Sequence, residues 1–173
     1  MTKEQKDFEF LRSIFEKFFN QKSTQKKLNL FDELDVSDWE KWLQIELMFF
    51  LNELDEVAEV KREERCFLDK RKEKDRDNCV IDFLVRQKKA HSAIPIEVKR
   101  DKVAKTCISK MINDIKKYEK IKPSNLPTNR LLWCIGVHNQ VTEEYINDLV
   151  SEFNTGLVFS MSIKNTQYMI TLF

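Results

Sequence analysis

Two periods of apolar and polar residues run along this chain, and the changes of period mark its elements. Residues 3–20 place Phe8, Leu11, Phe15, Phe18 and Phe19 on one side of a helical repeat, which predicts an amphipathic helix. Residues 21–27 are polar and read as a linker. The helical repeat returns from Trp39 to about Leu54. There Trp39, Trp42, Leu43, Phe49 and Phe50 share a face, with Glu46 in the middle of the stripe. Ser37 and Glu40 fit a capping box at its start, Ser37 at the N-cap and Glu40 at N3. Short runs rich in β-branched and aromatic residues then predict strands near residues 56–65, 79–85 and 93–99. A charged hairpin separates the first two. The polar segment Arg86 to Ser92 suits a second hairpin turn, which makes the 79–85 and 93–99 strands antiparallel neighbours. A long helix over 103–121 is closed by Pro123, and residues 131–137 form a short buried strand. Thr142 is the N-cap of a further helix reaching Phe153, with Glu143 and Glu144 in its first turn. Gly156 punctuates, and two last strands, 157–163 and 167–172, flank the polar turn Lys164-Asn165-Thr166.

Charged residues are rarely buried without partners. Asp82 lies within Cys79-Val80-Ile81-Asp82-Phe83-Leu84-Val85, and Glu97 and Lys99 lie in Ala93-Ile94-Pro95-Ile96-Glu97-Val98-Lys99. Strand alternation sends Glu97 and Lys99 to one face and Ile96 and Val98 to the other. The hairpin brings Asp82 near Glu97. Two hard oxygen ligands, completed by waters and a phosphate oxygen, suit Mg²⁺ or Mn²⁺. A lysine two residues on can orient a water and neutralise charge on a pentavalent phosphate. The plainer alternative is a surface ion pair of Glu97 with Lys99 or Arg100 and an Asp82 at a strand end. Ile96 and Val98 already fill one face, which argues against it. Glu46, an acid centred on an aromatic face, needs compensation. Pairing with a structural Lys or Arg would supply it.

Asp82, fourteen intervening residues and Glu97-Val98-Lys99 resemble the PD-(D/E)xK nuclease superfamily over roughly residues 37–137. The motif is short, and Ile81 stands where the family has a proline. The order helix, three strands, helix, strand is similar to the family's αβββαβ core. The resemblance implies an α/β fold of restriction-endonuclease-like type. In it a central mixed sheet is flanked by helices, and the helix over 3–20 is an addition to the core. It implies Asp82 and Glu97 as ligands of one Mg²⁺ (or Mn²⁺), the Val98 carbonyl as a further ligand, Lys99 at the attacking water, and Glu46 as the helix acid that approaches the metal, with Glu40 as its rival. It also implies hydrolysis of DNA phosphodiester bonds to leave 5′-phosphate ends, as a nick or a double-strand cut, in a phage, mobile-element or host-defence setting. The start of the helix after Glu97 would lie beside the metal, which selects Arg100, Lys102 and Lys105 as phosphate contacts.

Composition bounds these readings. A chain of 173 residues is expected to form a single domain, with residues 1–27 as N-terminal helix and linker and 37–137 as the motif-bearing core. At 42% hydrophobic residues it is globular. Only 2 Gly and 3 Pro favour long regular elements. The net charge of +1 requires any nucleic-acid footprint to be local. Residues 61–77 and 100–122 carry the lysine and arginine clusters. Cys66, Cys79, Cys107 and Cys134 show no paired spacing and read as reduced core thiols. His91 lies in a polar turn; His138 ends an apolar run and could line the site, but the plainer reading is a surface or loop residue. No apolar run reaches membrane-spanning length, and the first ten residues are unlike a signal peptide, so a cytosolic protein is expected. The Phe-rich first helix has two open roles, a cap on the core or the contact of a homodimer. Two other function classes stay in view: a catalytically inactive nuclease-like module that binds nucleic acid or protein, and a small inhibitor or immunity-type protein with a coincidental motif.

Overall fold

A computed structural model describes residues 1–151, 153 and 156–173. The elements are α1 (Lys3–Phe19), α2 (Lys22–Glu33), α3 (Glu40–Glu53), β1 (Val57–Phe67), β2 (Asn78–Gln87), β3 (Ile94–Arg100), α4 (Ala104–Tyr118), α5 (Glu143–Ser151), β5 (Phe159–Ser162) and β6 (Tyr168–Leu172), with β4 (Trp133–Asn139) between α4 and α5. The strands form one mixed sheet in the order β1-β2-β3-β4-β6-β5. β1, β2 and β3 form an antiparallel meander, and β3 and β4 are parallel with α4 as the crossover. β6 is antiparallel to both β4 and β5. Helices α1 to α3 cover one face, where Phe15, Phe18, Leu28, Trp39, Leu43 and Leu47 meet Phe83, Ile96, Val98 and Ile135. Helices α4 and α5 cover the other, where Cys107, Ile108, Met111 and Ile146 meet Leu84 and Cys134. This is a mixed α/β fold with helices on both faces of its sheet.

Three sequence expectations about helices change. The stretch 21–27 is not a linker but the first half of α2. Its buried residues are Thr24, Gln25 and Leu28, with Phe31 packed beside them, so its first half, 22–27, offered the pattern no apolar residue. Gln25 Nε2 donates to the Phe19 carbonyl at 3.1 Å and ties α2 to the end of α1. The capping box at Ser37 does not form: Trp39 is the N-cap, and no side chain caps α3. The buried stripe of α3 is Leu43, Leu47 and Leu51, whereas Phe49 is 58% exposed. Glu46 therefore sits on the flank of the stripe, not at its centre. The predicted end of the helix before Phe153 includes Glu152, which lies outside the described residues. Thr142 does cap α5, its Oγ1 accepting from the Tyr145 amide at 3.2 Å.

The β1–β2 ribbon bends in the middle. Glu63 adopts φ +56°, a left-handed conformation that costs a non-glycine residue about 1–2 kcal/mol. The register runs from Arg62 opposite Phe83 to Glu64 opposite Ile81, so Glu63 faces the position of Asp82. In a straight strand Ile81 and Phe83 would point the same way. Here Phe83 packs with α1 to α3, whereas Ile81, Cys79, Cys66 and Leu68 pack with α4. The tip of the ribbon is thus folded over α4. A bridge between Leu68 and Ile121 and the Asp69 amide donating to the Lys120 carbonyl (2.8 Å) fasten it.

Gly136 on β4 sets how close α4 comes. A Cβ there would lie 2.5 Å from Met111 Sδ and 2.8 Å from Cys107 Sγ. His138 is fully buried, not a surface residue, with Nε2 2.9 Å from Thr171 Oγ1. All four cysteines are buried free thiols. Among the described residues no helix is long and apolar enough to cross a membrane.

Candidate active site

β2 and β3 pair only from Val85 opposite Ile94 to Phe83 opposite Ile96. Beyond that point β2 turns with the bent ribbon towards α4, and the strands part. The parting leaves the Val98 amide without a ladder partner. Asp82 supplies one: its Oδ2 accepts from Val98 N at 2.8 Å. Asp82 thus stands at the crotch of a fork between two strands. Glu97, one step from Val98 on β3, is 4% exposed, and the charge of the Asp82 carboxylate acts on it.

Lys99 closes the group. Its ammonium donates to Glu97 Oε2 (3.2 Å) and to the Val98 carbonyl (3.3 Å). It also lies 2.8 Å from Asp114 Oδ2 on α4, off the hydrogen-bonding direction, which makes that contact an ion pair rather than an aligned hydrogen bond. Asp114 Oδ1 accepts from Lys117 Nζ at 2.7 Å. Three carboxylates and two ammonium groups therefore run in a line from the fork to the surface of α4.

Burial pushes the Glu97 carboxyl up to about 8, and the neighbouring charge of Asp82 adds to the shift while Lys99 opposes it. At neutral pH Glu97 holds a proton and the line is electrically balanced. Burial alone would weaken the charged form of Lys99. Glu97 once it ionises, together with the Asp114 carboxylate, outweighs this and holds the ammonium above its ordinary range. Lys99 is thus a fixed positive charge, not a proton acceptor.

The group suits a hard divalent cation. One oxygen of each of Asp82 and Glu97 is engaged, and among the described residues the other has no hydrogen-bond partner. Buried like charges that otherwise force a proton onto Glu97 would both ionise beside a cation. Two carboxylates would leave most positions around such a cation to water and substrate; among the described residues no group of three or more His, Cys, Asp or Glu is arranged to hold a metal. The Val98 carbonyl accepts from Lys99.

The other candidates lie elsewhere. Glu46 accepts from Lys27 Nζ (2.6 Å) and Trp42 Nε1 (3.2 Å), facing α2, and does not reach the fork. Glu40 is the α3 acid that reaches β3, its Oε2 accepting from the Arg100 amide at 2.9 Å. Arg100 follows Ile96 and Val98 to the α3 side. Its guanidinium donates to the Ser37 carbonyl (2.5 Å) and lies 4.8 Å from the centre of the Trp39 ring, so it braces α3 and is not free for phosphate. Lys102 pairs with Asp35 at 3.2 Å. Lys105 is exposed near the start of α4, with no ion pair among the described residues. Asp114 and Lys117 were missed by sequence reasoning. A signal existed: Asp114 continues the stripe Cys107, Met111, Tyr118 at helical spacing, an acid on an apolar face. Comparisons with protein-family models, curated proteins and solved structures find no match for this chain.

Proposed function

We propose that this chain is a divalent-metal-dependent nuclease that hydrolyses DNA phosphodiester bonds on a restriction-endonuclease-like core. The observation that carries the reading is the fork. Asp82, Glu97 and Lys99 meet where β2 leaves β3, and the carboxylate pair is desolvated enough to push Glu97 up to about 8. The order α3, β1, β2, β3, α4, β4 supports the core assignment.

Asp82 and Glu97 would hold Mg²⁺ or Mn²⁺. When bound, the cation supplies Lewis-acid stabilisation and a water of lowered pKa. The protein's own contributions are readable. The bond from the Val98 amide fixes the Asp82 carboxylate against β3. Glu97 must give up its proton to ligate, so the site loads better as pH rises through about 8. Lys99, kept charged by Glu97 and Asp114, offers fixed positive charge to a phosphoryl oxygen without reorganisation.

Supercoiled plasmid incubated with Mg²⁺ or Mn²⁺ tests the proposal, with EDTA and Asp82→Asn as controls. The amide oxygen of asparagine can still accept from Val98 N, so this variant tests ligation rather than folding. Nicked or linear product that vanishes in both controls is expected, with the rate of Asp82→Asn down at least 100-fold. Absence of cutting while Mn²⁺ still raises the melting temperature would replace the reading with that of a nuclease-like module that binds without cutting.

A further inference from the structure

The folded tip of the β1–β2 ribbon and the C-terminal half of α4 enclose a cleft of ≈ 440 Å³. Glu73 and Arg76 line it from the ribbon tip, and Asp114, Lys116, Lys117 and Lys120 line it from α4. Four cations face two acids. Glu73 is taken by Lys120 (2.8 Å) and Asp114 by Lys117 (2.7 Å). Arg76 and Lys116 have no ion pair among the described residues, the Lys116 ammonium resting 4.8 Å from the centre of the Phe153 ring at the cleft's margin, so the lining carries two more positive than negative charges. The chain as a whole carries only +1, so this is a local concentration. It is also continuous with the fork, because Asp114 belongs to the cleft wall and touches the Lys99 ammonium.

We infer that this cleft is the groove for the phosphate backbone of a nucleic-acid strand, with Arg76 and Lys116, which no carboxylate neutralises among the described residues, as its phosphate contacts. The inference rests on the nuclease reading for the position of the scissile phosphate, but the binding chemistry stands on the cleft's own charges. Two segments that are each a mixed charge run in sequence, 61–77 and 100–122, contribute opposite walls. Lys117 and Lys120 are already ordered by carboxylates. An incoming phosphate therefore meets donors held in place and has less side-chain freedom to remove. The assignment moves the nucleic-acid footprint from the start of α4 to its end. Lys105 and Lys116 are about 16 Å apart along the helix axis at 1.5 Å per residue.

The test is fluorescence anisotropy of labelled single-stranded DNA, duplex DNA and RNA oligonucleotides, in EDTA so that nothing is cut, across a salt series. Arg76→Gln/Lys116→Gln is compared with Lys102→Gln/Lys105→Gln. The substituted cleft side chains are exposed, so folding is little affected. The cleft pair should weaken binding on the order of 10- to 100-fold at 0.1 M salt and lower the slope of log K against log salt by about 2, near 0.9 per lost contact. The pair at the start of α4 should bind like wild type. Wild-type affinity and slope for the cleft pair, loss in the other pair instead, or no oligonucleotide binding by the wild type at any salt would each overturn the inference. Plasmid cutting by the wild type is read in parallel. If cutting occurs and the cleft pair binds normally, the cleft falls and the nuclease stands. If nothing is cut but the cleft pair loses binding, the nuclease falls and the cleft stands.

Discussion

Glu97 makes the stability of this protein depend on pH in a direction opposite to that of an ordinary salt-bridged acid. In the unfolded chain its carboxyl titrates near 4.5, and in the fold near 8, because burial and Asp82 penalise the charge. Between those values the folded state holds a proton that the unfolded state has lost, so raising the pH favours unfolding. The stabilisation is complete below pH 4.5 and is lost as pH rises through 8. Integrated from pH 5.5 to 8.5, the loss is about 3 kcal/mol at 1.36 kcal/mol per pH unit. With a urea m-value of about 2 kcal/mol/M, the midpoint falls by roughly 1.5 M. Urea unfolding in EDTA at the two pH values measures it, and Glu97→Gln, neutral at every pH, should remove most of the difference. Mg²⁺ at ten times its dissociation constant should restore about 1.4 kcal/mol, and more effectively at pH 8.5 than at 5.5, since cation and proton compete for Glu97. A wild-type midpoint unchanged between pH 5.5 and 8.5, or a Glu97→Gln variant with the full drop, would refute the argument.

Three further outcomes are expected. Arg130→Met strands Asp7, a 2% exposed acid on α1 whose carboxyl burial already pushes upward, and should cost about 3–5 kcal/mol in urea unfolding. Gly136→Ala forces Met111 and Cys107 aside; it should cost about 1–3 kcal/mol and, by shifting Asp114 on α4, lower plasmid cutting more than that loss explains. Glu40→Ala, which removes the acceptor, should reduce plasmid cutting severalfold by loosening the Arg100 amide and the end of β3, whereas Glu46→Ala should leave the rate within about twofold because its partners Lys27 and Trp42 lie on α2 and α3.

The sequence by itself determined the elements that carry strong periodicity. The Phe stripe of α1, the apolar runs of β2, β3 and β4 and the alternation that separates Glu97 and Lys99 from Ile96 and Val98 are local facts, because side-chain direction follows from backbone repeat alone. The hairpin of polar residues 86–92 was enough to bring Asp82 beside Glu97. Tertiary structure decided what depends on a partner. The first half of α2 was hidden because it has no apolar residue and its buried Gln25 is satisfied by the end of α1. Glu46 faces α2 and Glu40 reaches the Arg100 amide because the rotation of α3 is set by Leu43, Leu47 and Leu51 packing on the sheet. Arg100 was claimed by Ser37 and Trp39 across the sheet face. Asp114 and Lys117 joined the site only because Gly136 lets α4 approach β4 and the Glu63 bend turns the ribbon over it. A charge pattern in one segment states which groups exist; the potential at a site depends on which other segment folds against it, and that is a long-range property.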